Sequence, residues 1–342
     1  MSALQHRLEA RPPPRVLVIQ TAFLGDTVFT SALVRSLAQR WPQAEIDLCV
    51  APRGREVAQA IPGVSQVHVF DKRGEDRGLR GLRRIAARLR TRQYPLAVLP
   101  HRSLRSALLA RLAQIPERAG FAGAAGALLY TARVRTQERA FLAREADLAR
   151  ALGARPAQMA LQPLPACLAA ARAALGPATG ERLAAVCLGS EWETKIWPAS
   201  RVAALVRLLV LRGFRPVLLG GPRQRALAGE VNRGSGGGGI DTTGNSIGEA
   251  LAILSMSALA VGGDTGLVHA ARALGVPTVA VFGPTSPLLH GFGPRQRSVS
   301  LGLSCSPCSA HGSRRCPLGH HRCLRDLDEA RVAAACQEVL TV

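Results

Sequence analysis

The stretch from Ala258 to Thr285 confines this chain to α/β architectures. Its apolar run Ala258 to Val261 ends at Gly262-Gly263, where a backbone can turn sharply and a ligand can come close. Asp264 or Thr265 can cap a following helix, Gly275 with Pro277 stops it, and an apolar strand through Val281 comes next. The pattern is strand, glycine turn, helix, strand. A helix whose free N–H groups face out of such a turn is an anion site suited to a phosphate or pyrophosphate. An ordinary, well-capped βαβ turn has the same spacing, so spacing alone leaves both readings open.

The alternation recurs. Arg15 to Gln20 is a continuous apolar run, as in a strand buried on both faces, and Thr27 to Arg40 carries a helical apolar stripe that ends before Pro42. Further strands are predicted at 45–50, 66–70 and 96–100, with helices near 54–61, 78–92 and 103–113. Prolines at 156, 163, 165 and 177 punctuate an alanine-rich segment, after which the alternation restarts with a strand at 182–188, a helix at 198–212 and a strand at 216–219. Gly234 to Gly239 reads as a surface loop, and a helix at 247–256 leads into the opening motif. The predicted organisation is an N-terminal doubly wound α/β domain at 15–152, a linker at 153–181, a second α/β domain of similar build at 182–325 and a C-terminal helix at 326–342. A ligand cleft between two such domains is the default site.

Composition narrows the partners. Forty-four basic residues against 23 acidic ones give a net charge of +21, which favours an anionic substrate or membrane surface. Aromatic residues are 4% of the chain, too sparse for the stacking platforms of single-stranded nucleic acid, so no nucleic-acid partner is expected. No apolar run reaches membrane-span length, and the polar, proline-rich segment Met1 to Pro14 lacks the apolar core of a signal peptide. A cytoplasmic protein is expected.

Four segments, in order, resemble the family-9 glycosyltransferases, the ADP-heptose–lipopolysaccharide heptosyltransferases, and heptosyltransferase II-like members in particular. They are Val18 to Asp26 ending in Gly25-Asp26; Lys195-Ile196-Trp197-Pro198; Asp264-Thr265-Gly266-Leu267 with His269 and then Phe282-Gly283-Pro284-Thr285; and the segment with Cys305, Cys308, Cys316 and Cys323. The resemblance implies a GT-B fold, two Rossmann-like parallel-sheet domains facing a central cleft, with donor nucleotide on the C-terminal domain and acceptor on the N-terminal one. It implies an inverting transfer of L-glycero-D-manno-heptose from ADP-heptose to a Kdo-containing lipid A core, with no cofactor, at the cytoplasmic face of the inner membrane. Another nucleotide sugar on the same scaffold, an epimerase, or a non-enzymatic binder of anionic ligands are the competing readings.

The resemblance makes Asp26 a general base for the acceptor hydroxyl, although an aspartate there can equally cap the helix predicted from Thr27. Lys195 would neutralise the departing diphosphate, and lysine is very rare in this arginine-rich chain. Thr265, Gly266 and Leu267 offer backbone N–H groups to the diphosphate, Asp264 a carboxylate to the donor sugar or the helix end, and His269 an imidazole to a phosphate oxygen or to packing. Where the family often has an acid for the ribose hydroxyls, this chain has Arg223-Gln224, and Gln224 can still hydrogen-bond a hydroxyl. Arg80, Arg83 and Arg84, with Arg88 and Arg90 on the same predicted helix, are acceptor-binding candidates for carboxylates and phosphates, and so are His101 and Arg102 past a strand end. The four C-terminal cysteines, with His311, His320 and His321 nearby, offer metal-ligand types, but beyond one Cys-x-x-Cys pair their spacing fits no standard finger and no metal is expected.

Overall fold

The computed structural model describes residues 3–341. Met1 and Ser2, in the predicted proline-rich segment, and Val342, the end of the predicted C-terminal helix, lie outside the described residues. The chain divides into two compact units, Met1–Gln162 and Pro163–Val342, with the division inside the segment predicted as a linker.

The first unit holds a parallel sheet of six strands: β1 (Arg15–Gln20), β2 (Glu45–Val50), β3 (Val64–Val69), β4 (Leu96–Leu99), β5 (Glu117–Phe121) and β6 (Ala132–Val134). Their order is β3-β2-β1-β4-β5-β6. The second unit repeats it with β7 (Leu183–Cys187), β8 (Arg215–Leu219), β9 (Ile240–Asp241), β10 (Leu259–Gly263), β11 (Thr278–Val281) and β12 (Gln296–Val299), ordered β12-β11-β10-β7-β8-β9. In each sheet the strand order reverses at one place, beside β1 and β4 in the first and beside β7 and β10 in the second. Doubly wound sheets bind ligands outside the carboxyl ends of the strands at that switch point.

Local sequence explains the central strands. β1, β4, β7 and β10 are short, apolar and buried almost throughout, because helices cover both faces of a parallel sheet. The Leu24–Arg40 helix is buried from Thr27 to Val34, and two of its hydroxyls turn to its own carbonyls, Ser31 to Val28 and Ser36 to Ala32. The same oxygens accept the backbone N–H groups of Ala160 and Ala157, and Gln162 N–H donates to Ala60 O at 2.7 Å. Those bonds tie residues 157–162 to the first unit. Beyond them the Pro165–Leu175 helix packs on the Ile247–Met256 helix of the second unit.

Several elements escape sequence patterning. The Ala3–Ala10 helix buries Leu4 and Leu8 within the stretch read as polar. β5, β6 and the Phe141–Ala151 helix follow β4 unpredicted, and the Arg225–Ser235 helix runs into the glycine segment, ending at Gly236 in the left-handed conformation at φ 72°. The C-terminal Glu329–Glu338 helix packs on the Ala199–Leu211 helix and on β11, completing the second core. No helix among the described residues is long and apolar enough to cross a membrane.

Candidate active site

At the switch point of the second sheet, β10 ends in Gly262 and Gly263, and both lie within the strand. What comes close to them is the chain itself: a Cβ on Gly262 would stand 2.5 Å from Cys187 O, and one on Gly263 would stand 2.6 Å from Lys195 O. The glycines therefore let β10 close against the end of β7 and the loop carrying Lys195, where the sequence suggested approach of a ligand. Thr265, not Asp264, is the N-cap of the Gly266–Ala273 helix, its hydroxyl accepting from Val268 N–H at 3.4 Å. Gly266 and Leu267 open the helix, which leaves their N–H groups without intrahelical partners at the positive end of its dipole.

Asp264 is free of capping duty and forms the centre of a buried cluster. Its Oδ2 lies 2.6 Å from Lys195 Nζ and accepts the Thr285 hydroxyl at 2.7 Å, while Oδ1 accepts from His269 Nε2 at 2.9 Å. Burial alone would push this carboxyl up, but the His269 hydrogen bond and the nearby Lys195 charge overcome it and hold the group well below the usual carboxylate range. His290 stacks on His269 with ring centroids 4.6 Å apart, and burial, with its cationic neighbours, lowers it to about 3, so it is neutral at physiological pH. Both His269 ring nitrogens engage protein groups, so its effect on a ligand passes through Asp264.

Lys195 is placed by its neighbours in sequence. Trp197 is buried and donates its indole N–H to Leu327 O at 3.2 Å, and Pro198 is the N-cap of the Ala199–Leu211 helix. The anchored tryptophan fixes the loop, and the lysine two residues earlier reaches Asp264. Gln224 precedes the Arg225–Ser235 helix with its side chain over the ends of β7 and β8, since a Cβ on Gly189 would meet its Cδ at 2.7 Å.

In the first unit the Leu24–Arg40 helix starts three residues before the predicted Thr27. Asp26 is thus in its first turn, and Oδ2 reaches back to accept Phe23 N–H at 3.1 Å. The carboxylate thus serves the helix start. His101, just past β4, places Nδ1 3.3 Å from the Thr21 hydroxyl, just past β1, and both stand at this sheet's switch point. Lys72 Nζ donates to Thr21 O at 2.7 Å, and Arg105 donates to Lys72 O at 3.2 Å. Arg102 and Arg144 both lie over the Phe121 ring, at 5.2 and 5.1 Å from its centroid. Burial, with the charges of Lys72 and Arg144, lowers His101 to about 4.

Residues 82–319 match the model of glycosyltransferase family 9 (heptosyltransferase), well over half of the chain. The chain belongs to this family. Lipopolysaccharide heptosyltransferase 2 of Salmonella typhimurium is 29% identical over 295 residues, 80% of this chain and 84% of that protein. Lipopolysaccharide heptosyltransferase 1 of Pseudomonas aeruginosa is 28% identical over 305 residues, 86% of each. The structure of E. coli ADP-heptose lipopolysaccharide heptosyltransferase II matches with a TM-score of 0.76 at 23% identity, covering 96% of this chain and 98% of that one. The two Rossmann-like sheets are thus those of the GT-B fold, and the protein is a glycosyltransferase.

In this family 9 glycosyltransferase the candidate arginines Arg80, Arg83 and Arg84 occupy the exposed face of the Gly78–Arg90 helix, and Arg84 is paired with Asp76 at 2.8 Å. Lys72 is bonded to Thr21 O, Arg105 to Lys72 O, and Arg144 is near enough to help lower His101. The chain contains two lysines, Lys72 and Lys195, and Lys72, although it follows the edge strand β3, reaches Thr21 at the end of β1; that scarcity was the available signal for Lys72. Arg144, Glu145 and Arg272 carried no such signal.

The cysteine segment covers the Lys195 loop. Gly312, at φ +96°, packs so closely that a Cβ there would stand 2.8 Å from Lys195 Cδ, Thr194 and Ser313 exchange hydrogen bonds, and His321 Nε2 lies 2.8 Å from Thr194 O. Cys305, Cys308 and Cys316 are near enough to raise the Cys323 thiol, after burial. The side chains that bring three potential ligand atoms within 4.8 Å of one another among the described residues are Asp264, His269 and His290, and the four cysteines form no such group.

Proposed function

We propose that this glycosyltransferase moves a heptose from ADP-heptose to the inner core of lipopolysaccharide with inversion, in the manner of a heptosyltransferase II. The observation that carries the reading is the Lys195–Asp264 clasp, 2.6 Å long, beside the open N-terminus of the Gly266–Ala273 helix. A cation and free N–H groups together suit a diphosphate whose charge grows as the glycosidic bond breaks. Gln224 is available to the ribose hydroxyls. On the acceptor side, Asp26 takes the proton of the attacking hydroxyl as its oxygen bonds the anomeric carbon and ADP leaves from the opposite face. Lys72, Arg102, Arg105 and Arg144 supply positive charge for a Kdo-containing, phosphorylated lipid A core, with His101 beside them. The names of the Salmonella and Pseudomonas relatives support donor and acceptor class. A net charge of +21 supports peripheral association with the anionic cytoplasmic face of the inner membrane.

Thermal unfolding with ADP, UDP and GDP tests the nucleotide. Stabilisation by ADP above the other two is expected. Selectivity for UDP excludes the heptose reading, and no shift with any of the three removes nucleotide binding from this unit.

A further inference from the structure

Arg272 lies on the Gly266–Ala273 helix, one turn beyond His269, and is buried. Its hydrogen bonds go to no carboxylate among the described residues. Its Nε donates to Gln296 Oε1 at 2.8 Å, one terminal nitrogen donates to His290 O at 2.9 Å and to Gly291 O, and the guanidinium lies 4.5 Å from the Phe292 ring centroid. The other terminal nitrogen, Nη1, is 3.1 Å from His269 Nδ1. A guanidinium has donors and no acceptor, so His269 Nδ1 must be the acceptor and carries no proton. The proton of the neutral ring is then on Nε2, aimed at Asp264 Oδ1 2.9 Å away.

We propose that Arg272 is a positioning residue which fixes His269 as the neutral Nε2–H tautomer, so that His269 orients the Asp264 carboxylate and, through it, Lys195. The inference rests on the donor-site reading above for its catalytic consequence, but the tautomer stands on these contacts alone. It also settles the chemistry of the Asp264, His269 and His290 group. A cation bound there would need the Nε2 lone pair of His269, which this tautomer does not offer. Among the described residues, charged and titratable groups facing His269 include Asp264 from the end of β10, Lys195 from the loop after β7, His290 from the loop after β11, and Arg272 from its own helix. The imidazole therefore works as a fixed hydrogen-bond donor. Its ligand is the protein's own carboxylate.

The test is histidine 15N NMR on the full-length chain, with the His269 signals assigned by their loss in His269→Asn. The wild type is expected to show His269 as a pure Nε2–H tautomer from pH 6 to 8. Arg272→Met keeps much of the apolar stem and removes the donor, and there His269 is expected to gain a proton on Nδ1 while Asp264 still accepts from Nε2–H. The acid limb of the kcat profile should move up by about one pH unit. Gln296→Leu is the control: it loosens the same loop but leaves Nη1 in place, and the tautomer should persist. If Arg272→Met does not fold, Arg272→Gln serves, because its shorter amide falls short of Nδ1. A His269 ring that stays neutral, with Nδ1 unprotonated, in the folded Arg272 variant overturns the proposal, and so does equal protonation of Nδ1 in Gln296→Leu. A wild type with the predicted tautomer but no heptosyl transfer leaves this inference standing and defeats the functional reading instead.

Discussion

Lys195 and Asp264, 69 positions apart in the sequence, meet at 2.6 Å because β7 and β10 are neighbours in the sheet and each is followed by one of them. Both side chains are largely withdrawn from water, at 13% and 5% exposure, so neither charge is well screened. Lys195→Met removes the only lysine of this unit and leaves a buried carboxylate facing an apolar end. A kcat lower by about 10²–10³ is expected, the magnitude seen when one preorganised charge-stabilising group is lost. Steady-state kinetics with ADP-heptose and a core acceptor check it. Lys195→Arg should recover little, because a planar fork does not replace a compact ammonium in a site this close.

Asp26→Asn separates base from cap. The amide oxygen can still accept Phe23 N–H, now 3.1 Å from Oδ2, so the helix start should survive. Without a carboxylate to take the proton, turnover should fall by roughly 10²–10⁴ while donor affinity stays the same. Full turnover in this variant would remove Asp26 from catalysis.

Glu145 makes stability depend on pH. It is buried, and burial lifts its carboxyl to about 8 against opposing effects of Thr30 and Arg144, with Asp26 adding to the rise. The Thr30 hydroxyl is shared between Asp26 O at 2.9 Å and Glu145 Oε1 at 3.2 Å, so its donation to the carboxylate does not offset burial. The folded-state value exceeds the ordinary 4.5, so the native protein holds this proton where the unfolded chain releases it. The contribution is fully present below pH 4.5 and is lost as pH rises through about 8. Glu145→Gln keeps the shape without the titration. Urea unfolding should show wild-type stability declining relative to this variant between pH 5 and pH 8, by roughly a few kcal/mol in all.

Gly312→Val tests the cover over Lys195. A Cβ there would press on Lys195 Cδ and Trp192 Cβ, each at 2.8 Å, and the residue's φ of +96° is costly for valine. Displacing the lysine by about 1 Å is expected to lower kcat on the order of 10²-fold. Circular dichroism should show the two sheets intact, since the segment lies outside both.

The sequence discloses what local pattern encodes. Continuous apolar runs mark β1, β4, β7 and β10, and the punctuation after them places Asp26, Lys195 and Asp264 at strand ends. Partners are another matter. Asp264 reads as either a donor-sugar ligand or a cap, because its contacts to Lys195 and Thr285 come from other loops. Asp26 reads as a general base or as the cap of a helix from Thr27, whereas its reach-back bond to Phe23 N–H lets the helix begin at Leu24. Gly262 and Gly263 signal a close approach, but not that Cys187 O and Lys195 O make it. The arginine spacing at 80, 83 and 84 marks an exposed helix face without saying what that face meets. Arg272 looks like any helix-end arginine until Gln296 and His290 are brought beside it.

Product mass spectrometry tests the central claim most directly, with the purified protein, ADP-heptose and Kdo-containing lipid A acceptors of stepwise core length. The expected result is the gain of one heptose on one acceptor, with ADP released in equal amount and the new linkage inverted at the anomeric carbon. No transfer from ADP-heptose to any of these acceptors, with turnover of a different nucleotide sugar, would contradict it.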